Sequence, residues 1–114
     1  MEKKKINYGI IGAGHIGKYH IQQIQNISNV ILLGVFDVSK RQGEAVAREL
    51  NTKAYDDITQ LFQNCDAVSI ATPALSHYNL AKKALKHSCH VFIEKPFTTT
   101  VKDAEALIKL SQEF

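Results

Sequence analysis

The chain has little of several residue types that mark large classes of protein. Its 114 residues include no tryptophan, two prolines, six glycines and two cysteines. So little proline and glycine argues against a disordered chain. No apolar run approaches the roughly 20 residues that a membrane-spanning helix needs, and the apolar segment at residues 6–11 is too short for a signal-peptide core. We therefore expect one ordered, cytoplasmic domain with no membrane partner.

The two cysteines, Cys65 and Cys89, show no Cys-x-x-Cys spacing and no paired histidine pattern. They therefore indicate neither a disulfide framework nor a metal site. We expect free thiols, buried or half-buried, as is usual in a cytosolic protein. No residue is expected to bind a metal.

Positive charge exceeds negative charge only slightly, and the net charge is +3. The surplus lies partly at residues 3–5 and partly on one predicted helix, at Lys82, Lys83 and Lys86. No aromatic residues are interleaved with these lysines, so they indicate solvated surfaces rather than a nucleic-acid interface. We expect no nucleic-acid partner.

A Gly-x-Gly-x-x-Gly spacing, formed by Gly12, Gly14 and Gly17, joins a predicted strand to a helical pattern. In such a unit Gly12 permits a tight turn, Gly14 lets the backbone approach a pyrophosphate, and Gly17 lets the helix pack closely on the sheet. The start of the helix offers N–H groups and a positive dipole end to the phosphates. The spacing predicts a dinucleotide-binding turn; the alternative is a structural turn without a ligand.

An acidic residue follows the second predicted strand, at the position where dinucleotide-binding folds use one. The apolar run at residues 30–36 predicts a strand buried on both faces, and Asp37 follows it, about twenty residues beyond Gly17. Such a carboxylate accepts hydrogen bonds from the adenosine ribose hydroxyls and favours NAD. Lys40 and Arg41 follow closely, so NADP is possible too. The alternative for Asp37 is a solvated strand end or a helix cap.

Strand and helix patterns alternate along the whole chain, which predicts a parallel sheet with right-handed crossovers. With the glycine turn on the first strand, the expected fold is α/β: a doubly wound, Rossmann-like sheet of order 3-2-1-4-5. The sixth strand and a C-terminal substrate domain are expected to be lacking, so residues 1–114 form a single dinucleotide-binding domain. The predicted strands lie at about 6–11, 30–36, 53–55, 67–71 and 90–93, and the predicted helices at about 15–26, 39–50, 56–62, 76–87 and 100–114.

For two of the predicted helices, the sequence also predicts an inward face or a cap. On the first helix we expect Ile16, Tyr19, Ile24 and Ile27 to face the sheet. On the second, Ser39 and Gln42 have the spacing of a capping box.

Ligands of such sheets bind beyond the carboxyl ends of the strands, so the loops after the fourth and fifth strands are candidate site segments. The first contains Thr72 and Pro73, and its alternative interpretation is a strand-to-helix turn capped by Ser76. The second contains Glu94 and Lys95. A lysine there can stabilise negative charge on a substrate oxygen, and the alternative is a surface ion pair.

Taken together, these motifs resemble the N-terminal domain of the Gfo/Idh/MocA-type oxidoreductases, a group that includes glucose–fructose oxidoreductase and inositol dehydrogenases. The resemblance covers essentially the whole chain and is most specific in the Glu-Lys-Pro motif at residues 94–96. It implies that Lys95 is the catalytic lysine, which contacts the substrate and the nicotinamide ribose. It also implies that Thr72, Pro73 and His77 line the cofactor cleft. The expected cofactor-binding residues are Gly12, Gly14, His15, Ile16, Gly17, Asp37, Thr72, Pro73, His77, Glu94, Lys95 and Pro96.

The function implied is the binding of NAD, with NADP as the alternative cofactor, in an oxidoreductase that transfers a hydride between the cofactor and a secondary alcohol of a sugar, polyol or related molecule. In that family a second domain supplies the remaining acid–base residues, so this chain by itself is expected to be catalytically incomplete. The alternative is a nucleotide-binding or sensing module without catalysis. We also expect a homo-oligomer, because the fifth strand would form an apolar sheet edge.

Overall fold

A computed structural model of the chain describes residues 5–93 and 100–113. Within these residues the chain forms four β-strands and five α-helices, together with a short 3-10 turn at Ala74–Ser76. The strands are β1 (Ile6–Ile11), β2 (Val30–Phe36), β3 (Ala67–Ile70) and β4 (His90–Ile93). The helices are α1 (His15–Gln25), α2 (Lys40–Glu49), α3 (Ile58–Asn64), α4 (His77–Lys86) and α5 (Val101–Glu113).

The four strands form one parallel sheet of order β2-β1-β3-β4. This confirms the predicted doubly wound fold: the strand predicted fourth is β3 and the strand predicted fifth is β4. The strand predicted third, at residues 53–55, is only a single bridge between Ala54 and Val35 on the outer side of β2. The pairing consists of two hydrogen bonds, from the Val35 N–H to the Lys53 carbonyl oxygen and from the Tyr55 N–H to the Val35 carbonyl oxygen.

Each face of the sheet is covered by its own set of helices. On one face α1 and α2 bury a cluster around Ile10, Ile21, Val35 and Val46. On the other face the buried cluster combines strand residues with residues of α3, α4 and α5, namely Ile11, Leu61, Phe62, Val68, Ile70, Ala81, Ala84 and Leu107. Consecutive residues of β1, Ile10 and Ile11, thus serve opposite cores, as the pleat of a strand requires.

The face that α1 turns to the sheet differs from the predicted one. Ile16, Tyr19 and Ile27 are exposed, whereas Gly17, His20 and Ile21 are the buried residues of the helix. Of the residues predicted to face the sheet, only Ile24 is partly buried. A side chain at position 17 would collide with the carbonyl oxygen of Gly12. The helix is therefore rotated so that its glycine meets the turn, and this steric requirement outweighs the burial of the larger apolar residues.

The sheet edge at β4 carries partly exposed apolar side chains. Phe92 is half exposed, and its ring lies 5.5 Å from that of His20, centroid to centroid. Helix α5 packs mainly on α4. The expected homo-oligomer through this edge stays a prediction. Among the residues that the structure describes, no helix combines the length and apolar character needed to cross a membrane.

Both cysteines are free and buried, as predicted. The Cys89 thiol donates to the carbonyl oxygens of Phe62 and Cys65, at 3.3 and 3.4 Å. Burial raises the pKa of Cys65 from the ordinary 9.0 to about 12, and the neighbouring Cys89 and Asp66 add to the rise. Burial, with a contribution from Asp66, raises the pKa of Cys89 as well. These thiols therefore belong to the core and are poor nucleophiles.

We expect both thiols to resist alkylation by iodoacetamide in the folded protein at mildly alkaline pH and to react once the chain is denatured. The raised pKa also affects stability, because the unfolded chain loses these protons first. The contribution to stability is complete below about pH 9 and is lost as the pH rises toward 12. Mass spectrometry of alkylated protein and thermal melts across this range test both points. Rapid alkylation of the folded protein would contradict this account.

Candidate functional site

A cleft of about 530 Å³ lies where the carboxyl ends of β1, β2 and β3 meet. The connection after β1 leads to β2 on one side of the sheet, and the connection after β3 leads to β4 on the other side. The cleft therefore lies at the point where the strand order reverses. Open parallel sheets bind their ligands at such a point. Three segments line the cleft: the glycine turn, the residues after β2 and the loop after β3.

Two of the three glycines are required by the protein itself. Gly12 has a φ of 108°, a conformation that residues with a side chain rarely adopt. A Cβ there would also lie 2.5 Å from the carbonyl oxygen of Ala71. A Cβ on Gly17 would collide with the carbonyl oxygen of Gly12. These two positions are thus explained by the turn and by the close packing of α1, with or without a ligand.

Gly14 is different, because nothing in the protein requires a glycine there. Its φ of −83° suits any residue, and no heavy atom lies within 4 Å of the place where a Cβ would be. A side chain would therefore occupy open space at the wall of the cleft. Close approach of a ligand to the backbone explains a glycine at such a position.

The start of α1 is open to an anion. Gly14 is the N-cap residue of the helix; it supplies no capping side chain, and the first turn contains no acidic residue. Among the described residues the N–H group of Gly14 has no hydrogen-bond acceptor. Uncapped N–H groups and the positive end of the helix dipole together favour a phosphate. His15 and Ile16 are the first two residues of this turn. Both have exposed side chains, and His15 lies along a groove between α1 and α2.

Asp37 links the end of β2 to the glycine turn. One carboxylate oxygen accepts a hydrogen bond from the N–H of Ala13 at 2.8 Å, and the other accepts one from the N–H of Ser39 at 2.7 Å. Asp37 thus has a structural role, but it is not the cap of α2, whose N-cap residue is Ser39. It also lines the cleft. A carboxylate has about four acceptor sites, so two hydrogen bonds leave capacity for ribose hydroxyls.

The loop after β3 is held by its own hydrogen bonds. The Ser76 hydroxyl donates to the carbonyl oxygen of Pro73 at 2.7 Å and lies 2.6 Å from the Thr72 hydroxyl oxygen. It makes no cap for α4, so the alternative interpretation of Ser76 is wrong. Thr72 and Pro73 line the cleft, where the resemblance placed them.

His77 lies behind this loop rather than in the wall of the cleft. It is buried, and its Nε2 is 2.8 Å from the carbonyl oxygen of Thr72. A carbonyl oxygen only accepts, so Nε2 is the protonated nitrogen and donates to it. The ring therefore supports the loop that forms the cleft, and the contact with the cofactor that the resemblance implies for His77 stays a prediction.

Residues that the sequence pattern did not assign to the site also line the cleft, among them Val38, Gln42, Leu75 and Asn79. Val38 and Leu75 are almost fully exposed, although both are apolar. Val38 could have been assigned to the cleft from the sequence, because it directly follows Asp37. Leu75 had no such signal in the sequence, because only the folded loop shows that it lines the same cleft.

Three predicted site residues, Glu94, Lys95 and Pro96, lie outside the described residues, so their roles stay predictions. Within residues 5–93 and 100–113, no group of three or more histidine, cysteine or acidic residues is placed to hold a metal ion.

A match to a family model identifies the family of the chain. The model described as an oxidoreductase family with an NAD-binding Rossmann fold matches residues 6–113, which is nearly the whole chain. The chain belongs to the Gfo/Idh/MocA family. The predicted resemblance is thereby confirmed, and with it the nicotinamide-dinucleotide class of cofactor.

The relatives of this family member are much longer than the chain. UDP-N-acetylglucosamine 3-dehydrogenase of Acidithiobacillus ferrooxidans is 42% identical over 105 residues, which cover 92% of this chain and 33% of the relative. A solved structure of that enzyme aligns with a TM-score of 0.91 at 39% identity, covering 97% of this chain and 36% of the other. Myo-inositol 2-dehydrogenase of Thermotoga maritima is 32% identical over 104 residues, covering 89% of this chain and 31% of the relative. The chain thus spans about a third of the length of these proteins.

We expect the Gly14→Val change to weaken NAD binding at least tenfold, about 1.4 kcal/mol, while the fold survives. The valine would occupy open space in the protein but would meet the approaching pyrophosphate, and its poorer N-capping would cost about 1 kcal/mol at most. Calorimetric titration measures the affinity and a thermal melt the stability.

Gly17→Val is the matched control for this prediction. It should lower the thermal midpoint strongly, because its side chain would collide with the backbone of Gly12. If Gly14→Val kept the wild-type affinity for NAD, the turn would be a structural feature only.

Proposed function

We propose that the chain is the nicotinamide-dinucleotide-binding domain of an oxidoreductase that transfers a hydride between NAD and a secondary alcohol of a sugar, polyol or related molecule. The observation that carries the proposal is the open space at Gly14, beside the uncapped start of α1, in a member of an NAD-binding family. The experiment that tests it is the titration of the purified chain with NAD.

The pyrophosphate would lie against the glycine turn. Its two negative charges suit the N–H groups and the dipole of α1, and the missing side chain at Gly14 permits contact with the backbone. Gly12 and Gly17 act indirectly, since they set the turn and the position of the helix.

The adenosine half would lie beside the end of β2. Asp37 would accept hydrogen bonds from the ribose hydroxyls with the acceptor sites that Ala13 and Ser39 leave open. Val38 and Leu75 present exposed apolar side chains on two segments of the cleft wall. Burying such side chains against a flat aromatic base removes apolar surface from water.

The nicotinamide half would lie beside the loop after β3, whose shape is held by Thr72, Ser76 and His77. A bound nicotinamide supplies the hydride chemistry, while the protein orients the cofactor and excludes competing reactions. By the resemblance, Lys95 would contact the substrate oxygen and stabilise the charge that develops on it.

The substrate class rests on the relatives. The two curated relatives are named as dehydrogenases of a nucleotide sugar and of an inositol. An oxidoreductase acting on a secondary alcohol of such a molecule is therefore the proposed activity of the protein to which this cofactor site belongs.

A second candidate function is nucleotide binding without catalysis. It is favoured by the fact that the described residues of the cleft are those that hold or shape a dinucleotide site. The two candidates differ in turnover. Turnover has to be measured in a protein that carries this domain together with a substrate domain of the family, because this chain by itself is expected to be catalytically incomplete. In that protein, NAD reduction in the presence of a panel of sugars, nucleotide sugars and polyols supports the oxidoreductase, whereas NAD binding without any reduction supports the binding module.

We expect NAD to bind about tenfold more tightly than NADP, a difference of roughly 1.4 kcal/mol. The 2′-phosphate of NADP would lie near the Asp37 carboxylate and be repelled. Lys40 offers limited compensation, because its amine is shared with Asp56 at 3.8 Å. Calorimetry with both cofactors measures the ratio.

Asp37→Ser should bring this ratio close to one. The ratio is the informative quantity, because the change also removes hydrogen bonds to Ala13 and Ser39 and so affects both cofactors. Equal or tighter binding of NADP by the wild-type chain would exclude Asp37 as the discriminating residue.

We expect Lys95→Ala to lower turnover in the active enzyme by about 10²-fold or more, the usual effect of losing one preorganised charge-stabilising donor. NAD affinity should change far less, because the lysine is proposed to act on the substrate oxygen. Steady-state kinetics and NAD titration separate the two effects. Unchanged turnover in the variant would refute the catalytic role.

A further inference from the structure

Two side chains from the start of α2 and the segment before it hold the peptide groups of Ala13. Asp37 accepts a hydrogen bond from the Ala13 N–H at 2.8 Å, and Gln42 Nε2 donates to the Ala13 carbonyl oxygen at 2.9 Å. Gln42 also lines the cleft. In the predicted capping box, the Gln42 side chain would accept a hydrogen bond from the N–H of Ser39. In the structure Asp37 accepts from that N–H instead, at 2.7 Å.

The bond from Gln42 has a consequence for the next residue. The carbonyl of Ala13 and the N–H of Gly14 belong to one planar, trans peptide unit, so they point in opposite directions. Holding the oxygen on Gln42 therefore also fixes the direction of the Gly14 N–H. A peptide next to glycine has few steric barriers to rotation, so a hydrogen bond to its oxygen has a strong influence on its direction.

We propose that Gln42 is a positioning residue for the pyrophosphate: it holds the Ala13–Gly14 peptide so that the N–H groups at the start of α1 are presented to a phosphate. This inference rests on the proposed function. The same hydrogen bond polarises the peptide, which makes the Gly14 N–H a stronger donor. Sequence-based reasoning had assigned Gln42 only to the capping of α2.

The structure supplies a matched control for this role. Gln25, on α1, donates from its Nε2 to the carbonyl oxygen of Leu50 at 2.7 Å. It is the same kind of bond between the same groups, spanning a comparable length of chain, but Gln25 does not line the cleft. Both glutamines are exposed, so losing either bond should cost the fold little.

The test compares the wild-type chain, Gln42→Leu and Gln25→Leu by titration with NAD, ADP and adenosine, with a thermal melt of each. Leucine is close in size to glutamine but cannot donate. For Gln42→Leu we expect affinity for NAD and for ADP to fall about threefold to tenfold, the usual effect of one hydrogen bond. Adenosine affinity should not change, because adenosine carries no phosphate. Gln25→Leu should bind all three ligands as the wild-type chain does.

Two results would overturn the proposal: an unchanged NAD affinity in Gln42→Leu, or an equal loss of affinity for adenosine, which would place the effect at the ribose or in the fold. These results differ from failure of the proposed function. If the wild-type chain binds neither NAD nor ADP, the dinucleotide site itself is refuted and the role of Gln42 with it.

Discussion

The contact between the backbone of Gly17 and the carbonyl of Gly12 is the constraint on which most of this structure depends. No side chain fits between them, so α1 lies closer to the turn than side-chain packing would allow. This contact selects the inward face of the helix, buries His20 and Ile21, and leaves Ile16 and Tyr19 exposed. It also holds the start of α1 at the wall of the cleft, where its uncapped N–H groups are available to an anion.

A second set of interactions turns three separate segments into one site. Asp37 and Gln42 hold the peptide groups of Ala13 from the side of α2, and His77 holds the loop after β3 through the carbonyl of Thr72. Each hydrogen bond contributes only about 1 kcal/mol to stability. Their larger effect is on geometry, because a dinucleotide in the proposed site would contact all three segments at once and would bind best with these segments already in place.

Several features of the fold and site could be predicted because they depend on local patterns. Apolar runs at residues 30–36 and 90–93 predicted strands that exist, and the glycine spacing predicted the turn. Two of the errors arose where a side chain had more than one available partner. Ser76 bonds within its loop, to Pro73 and Thr72, rather than capping α4. Gln42 reaches Ala13, 29 residues away, rather than the N–H of Ser39, and sequence spacing does not show so distant a partner.

The sequence by itself determined the class of fold, the family and the glycine turn that, with Asp37, forms part of the cleft. These follow from the alternation of strands and helices, the three glycines and Asp37, because backbone sterics and strand burial act over short stretches of chain. Only the tertiary structure decided which face α1 turns to the sheet, that His77 supports the loop after β3, and that Val38 and Leu75 line the same cleft. Those outcomes depend on which atoms the folded chain brings within contact distance, and that is settled by packing between segments distant in sequence.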